Sequence, residues 1–216
     1  HKQLPPTVLS KDANGLKVSL FERLIDSNLE PKLLNTQYRM HPVIREFPSM
    51  RFYDNKLLDG AGLENRDTPA GFIWPDWDAP VAFVPVTGHE TQDEFGKSRS
   101  NIDEAALTMS VLDSLLAPGD LSPEDVGIIS PYAAQIRLLN SLAEESKNPE
   151  IYAGVEMQSV DGFQGREKEV IIMSHLACSG DKKNKYNEIQ RLRFEKIKKK
   201  LPGYKYSLAA SGGIFL

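Results

Sequence analysis

Residues 155–172, VEMQSVDGFQGREKEVII, decide the reading of this chain. Ser159, Asp161, Gln164, Gly165, Arg166 and Glu167 fall within nine residues, and a β-branched run follows at once. Polar groups packed so densely between two apolar runs are not built to fill a core. They read as a loop at the carboxyl end of one short strand (156–159) leading into another (170–174). Open α/β sheets place their ligands at such ends. Two further dense segments, TQYRMHP at 36–42 and HKQLPP at 1–6, make chance a poor explanation for all three.

Outward from this loop the chain alternates strand and helix. Residues 101–116 carry Ile102, Ala105, Ala106, Met109, Val111, Leu112, Leu115 and Leu116 on an inward helix face, with Ser100 or Asn101 as the cap. A buried strand is expected at Val126–Ser130, ended by Pro131, and a helix over 133–145. Residues 16–27, LKVSLFERLIDS, have helix periodicity; a short strand at 32–34 and a short helix over 43–52, interrupted before Pro48, should follow. VAFVPV at 81–86 reads as a strand near an edge because of its proline. The Gly-, Pro-, Asp- and Asn-rich residues 57–80 read as an extended surface connection. Strands separated by helices imply a parallel sheet with helices on both faces.

With 216 residues, 40% hydrophobic and 26% charged, the chain has room for one substantial core. Cys178 is the single cysteine, which excludes a disulfide framework and fits a reducing compartment. The four histidines and that cysteine lack zinc-site spacing. No apolar run is long enough to span a membrane. The sequence starts at His1, without an initiator Met or signal peptide, and is expected to be a piece of a longer protein. A net charge of −4 argues against a generally basic nucleic-acid binder, but the charge is uneven. Residues 181–205 hold ten Lys and Arg against three acids, which makes +7 and leaves −11 for the rest.

Taken in order, HKQLPP at 1–6, QYRMHP at 37–42, ISPYAAQ at 129–135 and SVDGFQGREKEVII at 159–172 resemble the second RecA-like domain of superfamily 1B helicases. The similarity is greatest to the up-frameshift-type RNA helicase branch, whose relatives include DNA-replication and immunoglobulin-switch-region helicases. It runs from residue 1 to about residue 177. Four ordered motifs are far more specific than a lone glycine-rich signature. The resemblance implies an α/β fold of the RecA-like, P-loop-NTPase type, three layers around a mostly parallel sheet. The last strand is expected to be missing if the C-terminal tail is unrelated sequence. It divides the chain into 1–6, the end of a first RecA-like domain; 7–178, the second helicase domain; and 179–216, a basic, divergent tail.

The same resemblance implies residue roles. Arg39 contacts the γ-phosphate, where phosphoryl transfer needs positive charge, and Gln3 reports the phosphate state. Tyr38 stacks on the nucleotide base. Glu167 binds the ribose hydroxyls and Gly165 offers a backbone contact to the phosphates. Asp161 and Gln164 couple nucleotide state to the strand side. Ser130, Pro131, Tyr132, Ser159 and Val160 contact a nucleic-acid strand without reading its sequence. Plainer readings stand beside these: a surface arginine at 39, a disordered terminus at Gln3, and Arg166 as partner of Asp161 or Glu169. Tyr132 can equally be a core lid, and His41 a loop-stabilising hydrogen-bonding group. Gln135, on the first turn of its helix, matches a glutamine of the family pattern.

Two departures bear on mechanism. No G-x-x-x-x-G-K-[ST] occurs, and the acid motif that holds Mg²⁺ would lie before His1. ATP and Mg²⁺ are therefore expected as cofactors, with the metal ligands in a missing first RecA-like domain and no metal ligand here. Beyond Cys178 the family's arginine-rich helix is not found, and no role is carried onto Arg191 or Arg193. Residues 187–200 read instead as a basic helix stopped by Pro202 and Gly203, solvated rather than phosphate-binding. The expected protein is the C-terminal motor domain of an ATP-dependent helicase resembling those of nonsense-mediated decay. It moves 5′-to-3′ on single-stranded nucleic acid, RNA ahead of DNA, and is catalytically incompetent as a fragment. It is expected to be monomeric and intracellular, cytoplasmic or nuclear, without a membrane partner. The rival is a non-catalytic module, derived from a helicase domain, that binds nucleic acid or protein.

Overall fold

The computed structural model describes residues 18–175, apart from 64–66, 76–78, 85, 87 and 94–97. The HKQLPP segment with Gln3, the first two residues of the predicted 16–27 helix, and the basic tail lie outside the described residues. The chain divides into two compact units between Arg66 and Asp67. Each is described by itself.

In the first unit, α1 spans Leu20–Asp26 and is capped by Ser19, whose hydroxyl accepts the Glu22 N–H at 3.1 Å. None of its residues is buried, and Leu20, Phe21 and Leu24 are exposed, so its apolar periodicity does not mark a core face. The strand expected at 32–34 is not formed. A two-residue strand lies further on instead: β1, Thr36–Gln37, pairs in parallel with β2, Leu58–Asp59. β2 falls inside the stretch expected to be a surface connection, and the Gly60 that follows it is buried. α2, Pro42–Phe52, runs unbroken through Pro48. A helical proline forfeits one backbone bond and crowds the preceding turn. Here the next residue anchors the turn. Ser49 is fully buried, its hydroxyl accepts the Leu57 N–H at 3.2 Å, and its carbonyl accepts the N–H groups of Tyr53 and Asn55.

In the second unit, VAFVPV forms no strand among its described residues. Pro80 and Pro85 lack the N–H a ladder needs, and the Val81 N–H is spent locally on the Ala79 carbonyl at 2.7 Å. A short antiparallel pair follows, β3 (Thr91–Gln92) with β4 (Arg99–Ser100). α3, Ile102–Leu116, starts at Asn101, whose Oδ1 accepts the Glu104 N–H at 3.0 Å. Its buried face is Glu104, Ala105, Thr108, Met109, Leu112 and Leu115. Ile102 and Ala106 turn outward, because Glu104 occupies the inward position through a bond from Ser174.

β5 (Val126–Ser130), β6 (Glu156–Ser159) and β7 (Val170–Met173) build a parallel sheet in the order β6-β5-β7, and α4 (Ala133–Glu144) connects β5 to β6. Strand residues alternate between faces. Val126 and Ile128 meet Ala105, Met109 and Leu112 of α3, Leu139 and Ala143 of α4, and Met157 of β6 in one core. Full burial of side chains such as Leu112, Ile128 and Leu139 stabilises the unit by about 1.5–3 kcal/mol each. On the opposite face the loop after β6 covers Gly127 with Phe163, while Ile171 and Met173 remain about half exposed. This is an α/β fold of the RecA-like kind.

Candidate functional site

The QYRM segment of the first unit is shaped by one side chain. Gln37 Oε1 accepts the backbone N–H groups of Arg39 at 2.9 Å and Met40 at 2.7 Å. Its Nε2 donates to the Met40 carbonyl at 2.8 Å and to Asp59 Oδ1 at 2.7 Å. Asp59 is gripped in turn by Arg45, whose Nε donates to Oδ1 at 3.1 Å and Nη2 to Oδ2 at 2.6 Å. That fork, aided by Gln37, holds the Asp59 carboxyl below the usual carboxylate range, and the same bond raises Arg45. His41 caps α2, its Nδ1 accepting the Val43 N–H at 3.3 Å.

Tyr38 lies flat on Gly60, and a Cβ at that glycine would overlap the ring. The rest of the side chain is open, 69% exposed. The result is an aromatic plate resting on backbone, with an exposed arginine beside it. Neither Asp59, Gly60 nor Arg45 belongs to a motif in the sequence. Asp59 and Gly60 enter through the pairing of β1 with β2, and Arg45 through its grip on Asp59 from α2, neither of which local composition reveals.

The loop after β6 in the second unit is a chain of tight turns. Ser159 Oγ accepts the Gly162 N–H at 3.1 Å and its carbonyl accepts the Phe163 N–H at 2.9 Å. The Asp161 carbonyl accepts Gln164 N–H at 3.3 Å, and the Phe163 carbonyl accepts Arg166 N–H at 3.1 Å. Phe163 plugs inward, so Asp161, Gln164, Gly165, Arg166 and Glu167 all stay at the surface. Gly165 has φ +83°, a left-handed conformation that reverses the chain just before Glu167. Arg166 pairs with Glu156 at the head of β6, a partner outside the two foreseen. Lys168 backs the same carboxylate at 3.7 Å and donates to the Glu124 carbonyl at 2.5 Å.

At the carboxyl edge of the sheet, Ser130 and Ser159 stand opposite each other in register, and the Val160 N–H reaches the Ser130 carbonyl at 3.2 Å. Ser130 is fully buried and its hydroxyl accepts the Tyr132 N–H at 3.3 Å. Beside them opens a small cleft lined in part by Ser130, Tyr132, Glu90, Glu104 and Ser174. Burial pushes the Glu104 carboxyl above its ordinary value, although Ser174 Oγ donates to it at 3.0 Å and the His175 N–H also bonds it. Glu90 is paired with Arg99 at 2.6 Å. Gln135, the family-pattern glutamine, also lines this cleft, is itself buried, and bonds the backbone of Asn101.

The structure thus brings Ser130, Pro131, Tyr132, Ser159 and Val160 to one sheet edge, and Asp161, Gln164, Gly165 and Glu167 to the loop that leaves it. Tyr38 and Arg39 belong to the first unit.

A family model described as an AAA domain matches residues 16–193. Regulator of nonsense transcripts 1 of Dictyostelium discoideum is 41% identical over 179 residues, covering 81% of this chain and 13% of its own length. Its homolog in Drosophila melanogaster is 40% identical over 178 residues, covering 81% of this chain and 15% of its own. ATP-dependent helicase NAM7 of Saccharomyces cerevisiae is 40% identical over 179 residues, with 81% and 18% covered. The chain therefore spans less than a fifth of the length of these relatives.

Proposed function

Because this chain belongs to the AAA-domain family of up-frameshift-type superfamily 1 helicases, we propose that it is the second RecA-like motor domain of an ATP-dependent helicase. The observation that carries the reading is the Tyr38 plate seated on Gly60 with Arg39 beside it. An open aromatic face takes a purine by stacking and tolerates any base. An adjacent guanidinium suits the γ-phosphate of a nucleotide, whose transition-state charge it would stabilise. The left-handed Gly165 turn ahead of the surface carboxylate Glu167 suits backbone contact with phosphate and bonding to ribose hydroxyls.

ATP supplies the phosphoryl group whose transfer drives such a motor. Its Mg²⁺ ligands are assigned to a first RecA-like domain, with Gln3 reporting the phosphate state from the boundary between the two. Ser130, Pro131, Tyr132, Ser159 and Val160 form the sheet edge proposed to meet sugar and phosphate without reading sequence. The buried Ser130 hydroxyl and the Val160 N–H are spent within the fold and shape that edge, which leaves the contact to the Tyr132 and Ser159 hydroxyls. Asp161 and Gln164 lie between those residues and Glu167 in the chain, which suits a coupling role. The strand is single-stranded RNA in preference to DNA, the movement 5′-to-3′, and the setting intracellular.

The test is steady-state ATP hydrolysis by the full-length protein, with and without single-stranded RNA, beside the same assay on this 216-residue chain. Stimulated hydrolysis is expected only for the full-length protein. Stimulated turnover by the isolated chain, abolished by Arg39→Ala, would overturn the reading that this chain is catalytically incompetent by itself. A full-length protein that binds RNA without hydrolysing ATP would return the chain to the class of non-catalytic modules.

A further inference from the structure

The last residue of β2 and the glycine that follows it support two consecutive residues of the QYRM segment. Asp59 Oδ1 accepts from the Gln37 side chain, and Gly60 floors the Tyr38 ring. The backbone repeats the pairing, since the Gly60 N–H donates to the Gln37 carbonyl at 2.8 Å. Gln37 has every polar group of its amide engaged, and its Oε1 fixes the backbone N–H groups of Arg39 and Met40. Amide orientation is what decides whether that Oε1 faces those donors. A carboxylate at Asp59 offers only acceptors, so it selects the orientation in which Nε2 points to Asp59 and Oε1 to the loop. Arg45 locks the selector by its two-pronged grip on both Asp59 oxygens, with both side chains about four-fifths buried.

We infer that Asp59 and Gly60, with Arg45 behind them, are positioning residues that preset Arg39 and Tyr38 for the nucleotide. The two act on different quantities. Asp59 and Arg45 act through Gln37 on the backbone of Arg39, so their loss falls on kcat. Gly60 acts on the tilt of the Tyr38 ring, so its loss falls on KM for ATP. This inference rests on the nucleotide role proposed above for Tyr38 and Arg39.

The experiment is ATPase kinetics on the full-length protein, arranged as a double-mutant cycle. Gly60→Ala is expected to raise KM for ATP by roughly 3- to 10-fold, the range of a lost aromatic contact. In a Tyr38→Ala background the same change should do nothing further, because the overlapping ring is gone. A purely structural role for Gly60 would persist in both backgrounds and would overturn the inference. Asp59→Ala and Arg45→Met should each lower kcat by about 10- to 100-fold, the scale of a displaced catalytic group, with KM little changed. In an Arg39→Ala background those losses should vanish. Equal losses in both backgrounds would refute the positioning role. If Tyr38→Ala and Arg39→Ala themselves leave the kinetics unchanged, the nucleotide role is what has failed, and the positioning inference falls with it.

Discussion

Gln135 holds both backbone groups of Asn101: its Oε1 accepts the Asn101 N–H at 2.7 Å, and its Nε2 donates to the Asn101 carbonyl at 3.2 Å. Both residues are buried, and Asn101 is also the cap of α3. One side chain on the first turn of α4 therefore sets where α3 begins. Replacing it with Leu strands the Asn101 N–H in a dry site, while the carbonyl keeps its helical bond from Ala105. An unsatisfied buried donor costs about 1–3 kcal/mol. Urea unfolding of Gln135→Leu should show a loss of that size, and Gln135→Glu a loss as well, since a carboxylate there buries charge.

The two units respond to acid with opposite sign. Asp59 has a folded value below its ordinary 3.8, so its contribution is present above that value and lost as pH falls below it. Glu104 has a folded value above its ordinary 4.5, so its charged form burdens the folded state at neutral pH. That burden is relieved as pH falls from the raised value toward 4.5. Glu104→Gln keeps an oxygen to accept from Ser174 and removes the buried charge. Stability measured from pH 7 to pH 4.5 should rise on acidification in the parent and lose that slope in Glu104→Gln. A slope that survives the substitution would assign it to another group.

The sheet was legible because its strands announce themselves. Val126–Ser130 is a β-branched run cut off by Pro131, and Glu156–Ser159 sits between turn-forming residues, so both strands fall at the positions their sequences suggest. VAFVPV has the same propensity and forms no strand among its described residues, because propensity supplies no ladder partner and its proline withdraws a donor. The β1–β2 pair was hidden for the converse reason. Two-residue strands carry no period, and their partners lie 22 residues apart. Of the residues that the sequence proposes for the site, Tyr38, Arg39 and Glu167 are exposed. The contacts of Gln37 with Asp59, Tyr38 with Gly60 and Gln135 with Asn101 could not be read there, because they join residues far apart in the chain that no local pattern encodes.

Gly165 offers a test of backbone against side-chain effects. Its φ of +83° is strained for any L residue, yet nothing lies within 4 Å of where a Cβ would sit. Gly165→Ala should therefore cost only the conformational term, about 1–2 kcal/mol, with no steric addition. Gly165→Val should cost more, because a β-branched side chain tolerates that region worst. Thermal unfolding of the two variants checks the order. Equal losses would mean that the turn relaxes away from its left-handed form.

Arg166 and Glu167 are chain neighbours on one surface loop, and substitution should separate them. Arg166 pairs with Glu156 while its own side chain is about half exposed, and Lys168 already approaches the same carboxylate. A pair so placed is worth less than about 1 kcal/mol, so Arg166→Ala should lower stability slightly and leave ATP hydrolysis by the full-length protein near its parent rate. Glu167 lies at the surface just past the Gly165 turn, where the proposed role is to bond ribose hydroxyls. Glu167→Ala should then leave the melting temperature almost unchanged while raising KM for ATP roughly 10-fold, the scale of a lost hydrogen bond to a charged group. A nucleotide series sharpens the assignment. If the carboxylate reads the hydroxyls, parent enzyme should favour ATP over its 2′,3′-dideoxy analogue, and Glu167→Ala should lose that preference. An unchanged preference in the variant would move the ribose contact to another residue, and a loss of stability without a change in KM would make Glu167 part of the turn rather than of the nucleotide site.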